Sequence, residues 1–165
     1  MAHSTNPRPG GGRYPNREQD SGASKFQPPS EAVIRKIIVE GDVELLVQWA
    51  DQIGKAIKDQ ELKASQIRNV FGTTRQIQLR WDEKDPQRGN QCFRDAMLLI
   101  PKLGYFAKRE KERTKKDGMI ILEQVLTPAL RIVGENSSFR RERFMRFAEF
   151  FEAIVAYHKK HGGEN

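Results

Sequence analysis

The sequence predicts an all-α protein: a compact helical bundle of about five to six helices over residues 30–165, behind a disordered, basic N-terminal arm over residues 1–29. Three observations predict it. From Ser30 onward the apolar residues recur at the spacing of one helix face. No alternating strand pattern lasts four residues outside such a helix. The arm holds five of the eight prolines (Pro7, Pro9, Pro15, Pro28, Pro29) and four glycines, and it has almost no aliphatic side chains to bury.

The elements follow in order. Ser30 caps a short helix through Val39, and Asp42 caps a longer one whose Leu46, Trp49, Ala50, Ile53, Ala56 and Ile57 share a face. A third helix begins at Ser65, or one turn earlier, with Ile67, Val70, Phe71, Thr74, Ile77, Gln78 and Trp81 as its inward stripe. Asp82 to Asn90 reads as a polar loop broken by Pro86 and Gly89. The fourth pattern runs through Phe93, Ala96, Met97, Ile100, Leu103 and Ala107, with Pro101 as a kink site because it lacks a backbone donor. The fifth, Met119 to Val133, stops at Gly134. The sixth starts at Ser137 or Ser138. Its Phe144, Phe147, Ala148, Phe150, Phe151, Ile154, Val155 and Tyr157 form a broad apolar sector that serves as the spine of the core.

Composition narrows the partner. At 165 residues, net charge +7 and a pI near 9.7, the chain fits one globular domain plus a tail, and its basicity makes nucleic acid the leading partner, ahead of a membrane surface. No apolar run approaches a bilayer span and the first residues lack the apolar core of a signal peptide, so a soluble, cytoplasmic protein is expected. Cys92 is the single cysteine, which precludes an intrachain disulfide and reads as a buried structural thiol.

The charge is sorted along the chain. Residues 30–61 carry seven acids against four bases, whereas Leu62 to Trp81 carry Lys63, Arg68, Arg75 and Arg80 and no acid. Excluding acids is what a segment facing a polyanion requires, and the expectation is an uninterrupted cationic ridge. At 100° per residue Arg68, Gly72, Arg75 and Leu79 fall on one narrow stripe flanking the buried face, with the guanidinium groups of Arg68 and Arg75 about 10 Å apart. Gly72 inside a helix costs roughly 1 kcal/mol relative to alanine. It makes sense where another backbone must approach between the arginines, and otherwise it is an accident on a solvated basic face.

Two further clusters are weaker. Lys108, Arg109, Lys111, Arg113, Lys115 and Lys116 interleave with Glu110, Glu112 and Asp117 at spacings that allow i,i+3 and i,i+4 pairs. Arg140, Arg141, Arg143 and Arg146 surround Glu142, and Arg140 and Arg143 sit at the margin of the apolar sector. Candidate RNA contacts are thus Lys63, Arg68, Arg75, Arg80, Lys108, Arg109, Arg140 and Arg141. Catalysis lacks its parts: His3 is in the arm, His158 and His161 fall at a frayed helix end, and none has acids at metal-ligand spacing. Phosphate loops, dinucleotide fingerprints and RNP-type aromatic strands are missing too, so no catalytic residue, metal or cofactor is expected.

Three patches, K-A-S-Q-I-R-N (Lys63 to Asn69), P-K-L-G-Y-F-A-K-R (Pro101 to Arg109) and F-F-E-A-I-V-A-Y-H-K-K (Phe150 to Lys160), resemble the small subunit of type III-A CRISPR effector complexes, the Csm small-subunit family. The resemblance spans about Ala32 to Lys160, and Ser-Gln-Ile-Arg-Asn is its most specific part. It implies a non-enzymatic helical bundle in several copies, stacked head to tail, lining the groove that holds guide RNA and target RNA beside the other subunits in antiviral defence. It also implies RNA contact by Arg68 and then Arg109, while Arg75 comes from the helical wheel alone. The acidic first helices and the basic third one offer complementary ends for stacking. The competing readings are a helical RNA-binding or chaperone-like adaptor unrelated to CRISPR, a small hydrolase or nuclease using His158 with Glu149 or Glu152, and a scaffold that binds only protein.

Overall fold

Three of the helices open on a Ser or Asp side chain that accepts an amide hydrogen of the first turn. The structure, a computed structural model, describes His3 and residues 25–165. The expected disorder of the arm therefore lies almost wholly outside the described residues. Residues 25–29, placed in the arm by composition, instead lie against the bundle: Phe26 packs on the core and Pro29 is buried.

Ser30 Oγ accepts from Val33 N (3.3 Å) to open α1 (Glu31–Arg35), which widens into a π-helical turn over Lys36–Glu40 and stops at Gly41 with φ 68°. Asp42 accepts from Leu45 N (3.1 Å) to open α2 (Val43–Asp59). α3 (Ala64–Arg80) starts just before Ser65. The expected loop over 82–90 is shorter than its composition indicates: α4 (Pro86–Thr114) starts inside it, capped by Asp85, which accepts from Arg88 N (3.1 Å). Proline at the first helical position costs no hydrogen bond, so Asp-Pro is a helix start here and not a break. α4 then continues through Pro101. α5 (Gly118–Gly134) ends at the expected glycine, and a 3₁₀ turn over Ser137–Phe139 leads into α6 (Arg140–Lys160).

α6 touches α2, α3, α4 and α5 and buries Phe144, Phe147, Phe150, Phe151 and Ile154. Phe71 stacks on Phe151 (5.3 Å between centroids), and Trp81 meets Phe144 at the same distance, so α3 runs antiparallel to α6. These phenylalanines are core, as their place inside an aliphatic sector predicts. α5 is buried over most of its circumference, with Gln124 and Arg131, two turns apart, marking the one exposed stripe. Gly54 lets α2 and α6 meet closely, since a Cβ there would lie 2.7 Å from His158 N. Cys92 is buried, and desolvation pushes its thiol pKa up, so it is held as the inert thiol.

The frayed end expected at His158 and His161 is absent. His158 is buried with Nε2 2.5 Å from the Leu62 carbonyl oxygen, and His161 Nε2 lies 2.5 Å from Asp51 Oδ1. A carbonyl only accepts, so His158 donates from Nε2. The chain then turns through Gly162 (φ 96°), and the Glu164 carbonyl accepts from Ala64 N (2.7 Å), supplying the first amide of α3 with the partner that Lys63, in the capping position, does not provide. A Cβ on Gly163 would collide with the His158 ring.

Candidate nucleic-acid interface

α3 and α4 lie side by side and antiparallel. Gln66 Nε2 donates to Glu110 near one end of the pair, and Arg80 Nη2 donates to Asp95 Oδ2 (3.2 Å) near the other. This register brings Arg68, two residues beyond Gln66, to the level of Arg109, one residue before Glu110. The arginines of two separate sequence patches therefore sit at one end of the same helix pair. Both are exposed, and neither has an ion pair or side-chain hydrogen bond among the described residues.

The stripe of Arg68, Gly72, Arg75 and Leu79 points away from the core instead of flanking it. Leu79 is 77% exposed, and a Cβ on Gly72 would meet nothing within 4 Å. The ridge is interrupted, however. Arg75 Nη1 donates to Gln78 Oε1 (2.7 Å) and lies 3.8 Å from Glu152, while Arg80 is tied to Asp95 and to the Gln76 carbonyl (3.3 Å). An acid-free helix does not keep carboxylates away when α4 and α6 supply them. Lys63 is exposed at the start of α3, and its backbone N–H donates to Gln66 Oε1 (2.6 Å).

On α4, Lys108 is exposed and 4.0 Å from Glu112. Beyond it the cluster compensates itself as its interleaved acids predict: Arg113 donates to Glu110 (2.9 Å), which raises the arginine's pKa, and Lys111 pairs with Asp117 (2.5 Å). Two cations were not singled out by the sequence reading. Arg94 and Lys102 have no ion pair among the described residues, and they share the outer side of α4 with Arg109. The 100° count that selected the α3 stripe, applied to α4, would have found them.

The arginines of α6 behave differently. Arg140 lies over the Phe93 ring (3.7 Å to the centroid), with its Nε buried and without a partner. Arg141 donates to the Trp81 carbonyl (3.1 Å) and to Glu83 (3.1 Å). Arg143 donates to the Ile132 carbonyl (3.0 Å), and Arg146 to those of Ile38 (3.3 Å) and Val39 (2.5 Å), closing the end of the π-helical turn. Arg140 and Arg141, candidates from sequence, are thus engaged within the fold. Elsewhere, Arg35 donates to both carboxylate oxygens of Glu135 (2.7 and 2.8 Å), and this fork holds the Glu135 pKa below the usual carboxylate range.

Among the described residues no three His, Cys, Asp or Glu side chains are grouped to hold a metal ion, and no helix is long and apolar enough to cross a membrane. What the α3–α4 surface offers is fixed positive charge around exposed apolar groups. Over residues 40–164 the chain matches the family described as Csm2 Type III-A. The chain belongs to this family of type III-A CRISPR small subunits. No curated protein and no solved structure matches it. The match contains all three patches, and it sets aside the adaptor unrelated to CRISPR. Membership makes the Csm small subunit a component of an effector complex with other subunits.

Proposed function

We propose that this Csm small subunit is a non-catalytic RNA-gripping component of the effector complex, acting in the cytoplasm through stacked copies that line the groove holding guide and target RNA. One observation carries the reading: Arg68 and Arg109, from separate patches, stand exposed, and without an ion pair among the described residues, at the same level of the α3–α4 pair. Free guanidinium groups on a rigid helical surface hold phosphates by charge and shape, leaving base sequence to guide–target pairing. Lys63, Lys102, Lys108 and Arg94 extend the field, with Arg75 and Arg80 as secondary contacts. Cutting and signalling chemistry falls to other subunits.

Stacking draws support from a surface of complementary charge. Val43 and Val47 are exposed on α2 beside Glu40 and Glu44, an acidic and apolar face of a chain whose α3–α4 surface is basic and apolar. Replacing Arg68 and Arg109 by glutamate tests the RNA reading. Affinity for single-stranded RNA at low salt should fall, and the slope of log K against log salt should become shallower by about one unit per lost phosphate contact. Unchanged affinity would refute it. Replacing Glu40 and Glu44 by lysine should lower copy number in native mass spectra of the assembled complex, and full occupancy would refute the stacking.

A further inference from the structure

Leu98, Lys102, Tyr105 and Arg109 recur at four-, three- and four-residue steps, so they fall within about 60° of one another on α4. The opposite side of the helix, Cys92, Ala96, Leu99, Leu103 and Ala107, is buried. Tyr105 is 62% exposed and Leu98 56% exposed, which makes them two of the few large apolar side chains on the described surface. Phe106 meets the Tyr105 ring at 57° and 5.6 Å, so its neighbour does not lie flat on it. Lys102 and Arg109 bracket the tyrosine at about 4.5 and 6 Å along the axis. Neither cation has an acid partner among the described residues.

We propose that Tyr105 is a stacking site for one unpaired nucleobase, whose flanking phosphates are held by Lys102 and Arg109. The inference rests on the RNA reading above and deepens it, because it makes the ligand a single strand with at least one base out of its stack. Phosphate contacts need only the cations. An exposed aromatic ring between two cations that have no acid partner among the described residues adds what a single strand offers and a duplex hides, the face of a base. A second copy of the chain fits this stripe less well, since lysine, here Lys102 beside the ring, is depleted at the centre of a protein interface.

The test compares the full chain with Tyr105→Leu and Tyr105→Phe, using a fluorescent uridine-rich oligonucleotide and the same oligonucleotide with abasic sites. Leucine keeps the helix and the apolar surface, and phenylalanine keeps the ring. Tyr105→Leu should weaken binding to the base-bearing strand about tenfold at unchanged salt slope, with Tyr105→Phe near wild type and the abasic strand indifferent to either change. Equal affinity of wild type and Tyr105→Leu, with the normal salt slope retained, overturns the stacking site while leaving the RNA reading intact. Loss of self-association in Tyr105→Leu with unchanged RNA affinity also overturns it and assigns the stripe to a second copy. A wild-type chain that binds neither strand at low salt overturns both readings.

Discussion

The first turns of α6 and the outer side of α3–α4 are similarly rich in arginine, yet their guanidinium groups have opposite fates. On α6, Arg141, Arg143 and Arg146 donate to backbone carbonyls of Trp81, Ile132, Ile38 and Val39, and Arg140 lies on Phe93. On α3–α4, Arg68 and Arg109 donate to nothing among the described residues. Cationic density therefore does not mark a ligand surface. The discriminating property is whether the fold places an acceptor within reach, and α6 lies where chain ends and turns expose carbonyls.

Arg146→Ala should produce the largest stability change of those that separate the two regions. It strips partners from the Ile38 and Val39 carbonyls and should cost about 1–3 kcal/mol in denaturant unfolding. RNA affinity per folded molecule should stay at the wild-type value, and a specific loss of RNA binding with unchanged stability would invert the comparison. Gly72→Ala probes the other region from the opposite direction. A Cβ there meets nothing within 4 Å, so the isolated chain should gain roughly 1 kcal/mol. If RNA or a neighbouring subunit approaches at this glycine, the same variant should bind more weakly despite its stability, a combination no purely structural role produces.

A smaller effect concerns pH. The Glu135 pKa is lowered in the fold by the Arg35 fork, so its stabilising contribution is present above the ordinary carboxylate pKa and lost as pH falls through the depressed folded value. Both partners are well exposed, which screens the pair and keeps the contribution small. Glu135→Gln should flatten the acid limb of the stability curve slightly and leave neutral-pH RNA affinity unchanged, as chemical unfolding across acidic pH would measure.

Much of the fold is legible in the sequence because it depends on local chemistry. Ser30 and Asp42 cap the helices they precede, Gly134 closes α5, and the phenylalanines of α6 are core because of their spacing. Asp85-Pro86 is misread as a break because proline terminates a helix from within but opens one from its first position. The site is legible in part. Arg68 and Arg109 follow from their patches, but the burial of His158 and the ties of Arg141 and Arg146 to distant residues depend on acceptors between 58 and 108 residues away. The acid-free helix leading up to Arg80 gives no sign of Asp95, since a single-helix reading sees only its own residues.

The bond from Ala64 N to the Glu164 carbonyl has a practical consequence. Two stretches a hundred positions apart share one mechanical joint, with the His158 imidazole clamped under Gly163 as its pin. A load applied to residues 162–164, whether from a fused tag or from an adjoining protein, is transmitted straight into the opening turn that presents Lys63 and, one turn later, Arg68.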